Sequence, residues 1–182
     1  MVKNWLIAGM VVLFAVGLSA QEPDTRARSA RGGSSITVAV EGLSCTTPAG
    51  AGSFAALSWS FGANQTGTTG SASSGAGAGK VSANLTGLNI TKRADGCSPV
   101  LFGDVVSGRM LKSVTLVQQD NAKDDVFTVT LTNVLVGSYQ LGGDQSSEIP
   151  TEQISFTFSK ICISDTQSGT KFCWDSSTNR AF

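Results

Sequence analysis

The apolar residues of the chain follow one pattern in its first twenty residues and a different pattern in the rest. Residues 5–18 form an apolar run behind a single positive charge at Lys3. The run ends in the small residues Ser19 and Ala20. A charged start, an apolar stretch and a small-residue cleavage point are typical of a secretory signal peptide. We therefore expect residues 1–20 to be a signal peptide that is cleaved after Ser19 or Ala20 during export.

The alternative for this segment is an uncleaved membrane anchor. Residues 5–18 are fewer than the roughly 20 apolar residues that a membrane-spanning helix needs, and no later segment is apolar enough to span. We therefore expect the mature form to have no membrane partner and to be exported, to the periplasm or out of the cell. Residues 21–34 are charged and then rich in Gly and Ser, which predicts a flexible N-terminal arm.

Beyond the arm, apolar and polar residues alternate in short segments separated by turn-forming residues, a pattern typical of antiparallel strands. A single helix is predicted, with Ser98 as its N-cap, Pro99 at the first helical position and Gly108 as its stop. Short strands around one helix predict a mainly β domain over residues 35–182, a small antiparallel β-barrel or two-sheet sandwich with one α-helix. The predicted strands are residues 36–40, 56–61, 81–92, 111–117, 126–136, 154–163 and 171–174.

Charge and composition then narrow the functional classes. The chain has 13 Lys and Arg against 13 Asp and Glu, so its formal net charge is zero. Nucleic acid binding needs a concentrated basic surface, so we expect no nucleic acid partner. The chain also has no His, which removes the commonest general base and the commonest metal ligand. We therefore expect no catalytic residue, no metal site and no cofactor. A hydrolase that uses a Ser–Lys pair or paired carboxylates stays as a weaker alternative.

The four cysteines all follow the expected signal peptide. In an oxidising compartment an even number of Cys predicts two disulfides. Cys162 and Cys173 lie symmetrically about a predicted turn, so a hairpin would place them opposite each other at a distance that a disulfide spans. Cys45 and Cys97 are then paired by elimination. Two alternatives stay open: bridges between neighbouring subunits, and a zinc site, for which the spacing is poor.

Five groups of residues occur in an order and spacing that are more specific than any group alone. Together they resemble the Hcp (haemolysin-coregulated protein) family, the tube subunits of type VI secretion systems, over roughly residues 36–182. The groups are Leu57-Ser58-Trp59-Ser60-Phe61-Gly62; Gly77-Ala78-Gly79-Lys80-Val81; Thr91-Lys92 with Asp95, Ser98-Pro99 and Leu101; Val134-Leu135-Val136 with Gly142-Gly143; and Thr151-Glu152 with Ile154-Ser155-Phe156, followed by Lys171-Phe172 and Trp174.

The resemblance implies a small β-barrel with a helix at its side. It further implies hexameric rings of this chain that stack into tubes, with spike and effector proteins as partners. Typical members lack a signal peptide and are not built around two disulfides, so this chain would be an atypical member. The expected assembly elements are the low-complexity loop 62–79, the helix and the loop 142–147, and the residues chosen from them are Gly62, Gly70, Gly79, Ser98, Pro99, Gly142 and Gly143.

A different class of function also fits the pattern. A monomeric secreted β-sandwich would bind a ligand or a carbohydrate with its exposed loops. It predicts a concave patch of aromatic side chains, for which the chain offers few aromatics, 7% of its residues.

Overall fold

The computed structural model describes residues 33–66 and 82–182. The expected signal peptide, most of the expected arm, and Gly70 and Gly79 lie outside these ranges. The elements of the described residues, in chain order, are β1 (Ser35–Val40), β2 (Thr46–Thr47), β3 (Gly50–Ala51), β4 (Ser53–Ala56), β5 (Ser58–Ser60), β6 (Ala63–Thr66), β7 (Ser82–Leu85), β8 (Leu88–Arg93), α1 (Ser98–Ser107), β9 (Met110–Gln119), β10 (Asp125–Gly142), β11 (Thr151–Asp165), β12 (Thr170–Asp175) and β13 (Arg180–Ala181).

Nine of the described strands form one antiparallel sheet, which closes on itself. Its order is β13-β12-β11-β10-β9-β1-β4, and β8 pairs with both β11 and β5. Only Leu57 separates β4 from β5, and its N–H donates to the carbonyl of Thr91 at 2.7 Å. The two ends of the path β4-β1-β9-β10-β11-β8-β5 are therefore joined by a single residue, which closes the sheet into a barrel. The predicted mainly β, antiparallel fold with one helix is confirmed.

Two long strands connect the parts of this barrel. β10 has 18 residues and β11 has 15, and they pair along nearly their whole length. The first half of β11 also pairs with β8, and its second half pairs with β12. The β10–β11 register shifts between Val136 and Ser138, a bulge that bends the strand. β11 therefore bridges the closed barrel and the β12 hairpin.

The barrel interior is filled by alternate residues of the strands. On β8 the inward side chains are Leu88, Ile90 and Lys92, and on β11 they include Ile154 and Phe156, all at most 1% exposed. Burying an aliphatic or aromatic side chain of this size contributes about 1.5–3 kcal/mol each. The largest fully buried apolar side chains are Phe54, Phe156, Leu88, Ile90, Leu101, Leu111, Leu116, Leu131, Ile154 and Val38.

The helix α1 lies between β8 and β9 in the chain and packs against β10. Its predicted stop is confirmed, because Gly108 takes the left-handed conformation, with φ of 64°, that terminates helices. Its start differs by one residue: Cys97 is the N-cap, and Ser98 is the first helical residue. The Ser98 hydroxyl instead accepts a hydrogen bond from the N–H of Asp95 at 2.8 Å. Within the two described ranges, no helix is both long and apolar enough to cross a membrane.

Two predicted strands are interrupted. The predicted strand 56–61 is broken at Leu57, and the predicted strand 81–92 is broken at Thr86 and Gly87. A Cβ atom on Gly87 would lie 2.6 Å from the Ser155 Oγ and 3.0 Å from the Phe156 carbonyl oxygen, so the chain passes too close to β11 for a side chain. Because of this interruption, β7 is not part of the large sheet, and it pairs with β6 as a separate two-stranded ribbon.

Both predicted disulfides are present, and both lie within the chain. Cys162 and Cys173 are directly paired residues of β11 and β12, as the predicted hairpin required. The second bridge joins Cys45, after β1, to Cys97, the N-cap of α1. The preceding Gly96 lies so close to β2 that a Cβ atom there would be 2.9 Å from the Thr46 carbonyl oxygen. This bridge therefore ties the helix start to the β2–β3 hairpin.

Candidate assembly surfaces

The first feature of the site is a group of charged side chains buried beside the start of α1. Lys92 and Glu152 are both 0% exposed, and the Lys92 Nζ lies 3.1 Å from Glu152 Oε2. The same Nζ lies 2.8 Å from Asp95 Oδ1 and donates to the Ser98 hydroxyl at 3.3 Å. It also sits 5.2 Å from the centre of the Phe54 ring. A buried charge is tolerated only when it is paired in this way.

The partners of this charged cluster come from elements that are distant in sequence. Lys92 on β8 and Glu152 on β11 are directly paired residues of the sheet. Glu152 Oε1 accepts a hydrogen bond of 3.0 Å from the hydroxyl of Tyr139 on β10. Asp95 and Ser98 bring in the loop before α1 and its first turn. The cluster therefore fixes the start of the helix to the barrel wall.

The environment of the cluster raises the pKa of Tyr139 to about 12, chiefly because burial disfavours the phenolate and also because its hydroxyl donates to the Glu152 carboxylate. Since the folded chain holds this proton more tightly than the unfolded chain, the stabilising contribution of Tyr139 is complete below about pH 10 and is lost as the pH rises through about 12.

Tyr139 is the only Tyr in the chain, so its ionisation can be observed directly. We expect its phenolate absorbance to be largely absent in the folded protein about one pH unit above the ordinary Tyr pKa of about 10. In urea at the same pH the absorbance should be nearly complete. Far-ultraviolet circular dichroism at each pH would verify that the chain is still folded. A folded chain that ionises with an ordinary midpoint would contradict the burial of this hydroxyl.

The second feature is the outer face of α1, which lacks charged residues. Asp104 is the only charged residue of the helix; it is buried and ion-paired to Arg109 at 2.7 Å. On the outer side, Phe102 is 53% exposed and Val106 is 68% exposed, and Pro99 is exposed beside them. We call Pro99, Phe102 and Val106 the outer α1 face. A helix that is apolar on all sides is normally covered on all sides.

A second exposed apolar residue group lies at the C-terminal end of β10, next to the outer α1 face. The Phe102 ring lies 5.7 Å from the Tyr139 ring, and Leu141, two residues further along the same strand, is 57% exposed. The predicted residues Gly142 and Gly143 follow at once and are exposed. Pro99, Gly142 and Gly143 are therefore exposed, whereas Ser98 is buried in the charged cluster.

The loop after β10 contains acidic residues, but they act locally. The Asp144 carboxylate accepts hydrogen bonds from the hydroxyl and the N–H of Ser146, which lower its pKa. Elsewhere, Asp175, the last residue of β12, accepts a hydrogen bond from the Ser177 hydroxyl of the following turn at 2.5 Å, and its pKa falls to about 2. These carboxylates stabilise turns.

Among residues 33–66 and 82–182, no three His, Cys, Asp or Glu side chains are placed to hold a metal ion.

The third feature is an apolar groove of about 420 Å³ between the β6–β7 ribbon and the β11–β12 hairpin. Its wall includes the Phe172 and Trp174 rings, which are stacked at 6.4 Å. No charged residue lines it. Of the predicted loop 62–79, the structure describes residues 62–66, and the loop prediction is wrong for residues 63–66, which pair with β7 as strand β6. Gly62 lies at the base of the ribbon, where its N–H donates to the Thr86 hydroxyl at 2.8 Å. We call this surface the aromatic groove; it is lined by Phe61, Ala63, Asn64, Gln65, Ala83, Leu85, Ile161, Ile163, Phe172 and Trp174.

The charged cluster and the aromatic groove were not predicted from the sequence. A signal for Lys92 existed, because it continues the alternation of Leu88 and Ile90 and so falls on the buried side of its strand. Glu152 likewise lies two residues before the buried Ile154 and so falls on the buried side of β11. Nothing in the sequence indicated that these two positions pair.

A closed antiparallel barrel with one helix fixed at its side by a buried ion pair defines the class of the protein: a small β-barrel whose described surface includes uncovered apolar regions. Residues 25–164 match the family model described as "Type VI secretion system effector, Hcp". The chain belongs to this Hcp family of type VI secretion systems, and the predicted resemblance is confirmed. No curated protein matches the chain in sequence.

Solved structures show the same fold at low sequence identity. A crystal structure of Hcp1 from Salmonella typhimurium has a TM-score of 0.69 at 21% identity and covers 82% of this chain and 99% of its own. A type VI secretion system effector from Yersinia pestis has a TM-score of 0.60 at 18% identity and covers 77% and 98%. The secreted protein Hcp3 from Pseudomonas aeruginosa has a TM-score of 0.55 at 16% identity and covers 78% and 96%.

Proposed function

We propose that this protein is an exported structural subunit that assembles with copies of itself into hexameric rings, which stack into tubes that carry or propel effector proteins. Membership of the Hcp family, whose model matches residues 25–164, is the observation that carries the proposal. The uncovered apolar surfaces support it, because a chain that works alone in water seldom leaves an uncharged helix face exposed. Nothing in the comparisons favours a monomeric ligand-binding protein or a hydrolase.

A cleaved signal peptide is part of the proposal. The charged start and apolar run of residues 1–20 support it, and two intrachain disulfides suit a protein that matures in an oxidising compartment. On this account the rings form after export, from the mature chain.

Export is tested by expressing the full chain in a bacterium, fractionating the cells and measuring the intact mass of the product. The proposal predicts a periplasmic or extracellular protein that begins after Ser19 or Ala20, with both disulfides formed. A cytoplasmic product that keeps residues 1–20 would reject the export part of the proposal and leave the family assignment intact.

Assembly is tested by light scattering of the mature protein during gel filtration, over a wide range of concentrations. A particle of six subunits is expected, with a larger stacked species at high concentration. A species that keeps the mass of one chain at every concentration would reject ring formation.

A further inference from the structure

Two apolar surfaces on the described part of the chain are uncovered, and they differ in shape. The outer α1 face is convex, because it is the exposed side of a helix on the barrel wall. The aromatic groove is concave, with a volume of about 420 Å³, and lies against β11 and β12. The two surfaces share no residue. We propose that the outer α1 face of one subunit inserts into the aromatic groove of a second copy of this chain; the inference rests on the proposed ring.

Electrostatic complementarity favours a second copy as the occupant. Every residue that lines the groove is uncharged, and the outer α1 face is uncharged as well. A charged partner placed in this groove would lose its hydration without gaining an opposite charge, which costs several kcal/mol. The uncharged, exposed face of α1, the single helix of the described residues, is therefore a matched occupant for the apolar groove.

The area involved agrees with a contact that forms the centre of a larger interface. Phe102 and Val106 of the outer α1 face, and Leu141 on β10, are each more than half exposed. Together they offer on the order of 300 Å² of apolar area, against about 800 Å² for each partner in a standard stable interface. This patch alone would not hold two copies together. Polar residues around it must supply the rest, as in interfaces with an apolar centre and a polar rim.

The geometry also determines the kind of symmetry. A contact between two different surfaces of the same chain is heterologous. After two copies pair, one of them still has a free groove and the other still has a free outer α1 face. Such contacts continue from subunit to subunit and close into a ring when the rotation allows it. Gly103, on the same helix, has open space where a side chain would be, so it lets a neighbouring surface approach the helix backbone closely.

The direct test places a photo-crosslinking residue in the mature, oxidised protein by the substitution Phe102→benzoylphenylalanine. Subunits labelled with heavy nitrogen are mixed with unlabelled subunits, illuminated, reduced and digested with trypsin. The proposal predicts a crosslink from Phe102 to the tryptic peptide 172–180, which contains Phe172 and Trp174 and joins one labelled and one unlabelled chain. If the wild-type protein forms rings but the position-102 variant crosslinks between chains only to peptides that do not line the aromatic groove, this inference is overturned and the proposed function stands. A wild-type protein that is monomeric overturns both.

A charge-swap experiment provides an independent readout. Val106→Lys and Phe172→Glu each place a charge at a residue that is already more than half exposed, so each variant chain should still fold. Each is expected to lower the assembled fraction at least tenfold, and the double variant to recover much of it through the new ion pair. Asn121 is exposed in the β9–β10 turn and belongs to neither surface, so Asn121→Lys, which adds the same charge as Val106→Lys, should assemble like the wild type. Single variants that assemble normally would overturn the proposed contact.

Discussion

Replacement of Lys92 by methionine is expected to lower the free energy of unfolding by about 3–5 kcal/mol, because it leaves the fully buried carboxylate of Glu152 without its cation. The Lys92 ammonium is the only positive charge within contact of that carboxylate among the ion pairs of the described residues. Methionine keeps the unbranched apolar stem and is one heavy atom shorter than lysine, so the substitution removes the charge with little change in packing. Urea unfolding at neutral pH measures it.

A matched control is available on the surface of the same barrel. Lys112 is 83% exposed, and its Nζ lies 3.4 Å from a carboxylate oxygen of Glu41. Lys112→Met should change the free energy of unfolding by no more than about 1 kcal/mol, since exposed ion pairs contribute little. The double variant Lys92→Met with Glu152→Leu removes both buried charges and should be more stable than Lys92→Met alone. Equal losses for Lys92→Met and Lys112→Met would show that the charged cluster is not buried as described.

Removal of the disulfide between Cys45 and Cys97 is expected to destabilise the chain by about 4 kcal/mol, and removal of the disulfide between Cys162 and Cys173 by about 3 kcal/mol. The first bridge joins residues 52 positions apart and the second joins residues 11 positions apart, so the first restricts the unfolded chain more. Cys97 is also fully buried as the N-cap of α1. Each pair is replaced by two alanines, and urea unfolding compares the two variants.

The two disulfide variants control for each other, because both lose two sulfur atoms and one crosslink. A larger loss for Cys162→Ala with Cys173→Ala would contradict the expectation that the longer loop governs the effect. The Cys45→Ala and Cys97→Ala variant should also show faster amide hydrogen exchange in the first turn of α1, because the bridge fixes that turn to the β2–β3 hairpin.

Local chemistry made part of this structure predictable from the sequence. Cys162 and Cys173 flank a turn, and in the structure they are paired residues of adjacent strands. Gly108 follows the helix and has the positive φ that only glycine adopts readily. The alternation of apolar residues gave the strands of the barrel, because alternate side chains point to its interior. Each of these predictions depends on residues that are close together in sequence.

The parts that could not be predicted depend on contacts between distant segments. Lys92 and Glu152 lie on strands whose pairing is set by the barrel closure. The aromatic groove forms because the β6–β7 ribbon is separate from the barrel, which the chain joins as β8 only after Gly87, where the close approach to β11 prevents a side chain. The sequence placed Phe172 and Trp174 on one strand but did not indicate which segment faces them.

Electron microscopy of the mature, oxidised protein tests the central claim most directly. Negatively stained particles and their class averages would show whether the subunits form closed rings with a central opening. We predict six-fold rings from protein whose two disulfides are intact. If protein with both disulfides formed gives only single-chain particles, even at high concentration, the proposal that this Hcp-family chain is a ring-forming subunit is contradicted.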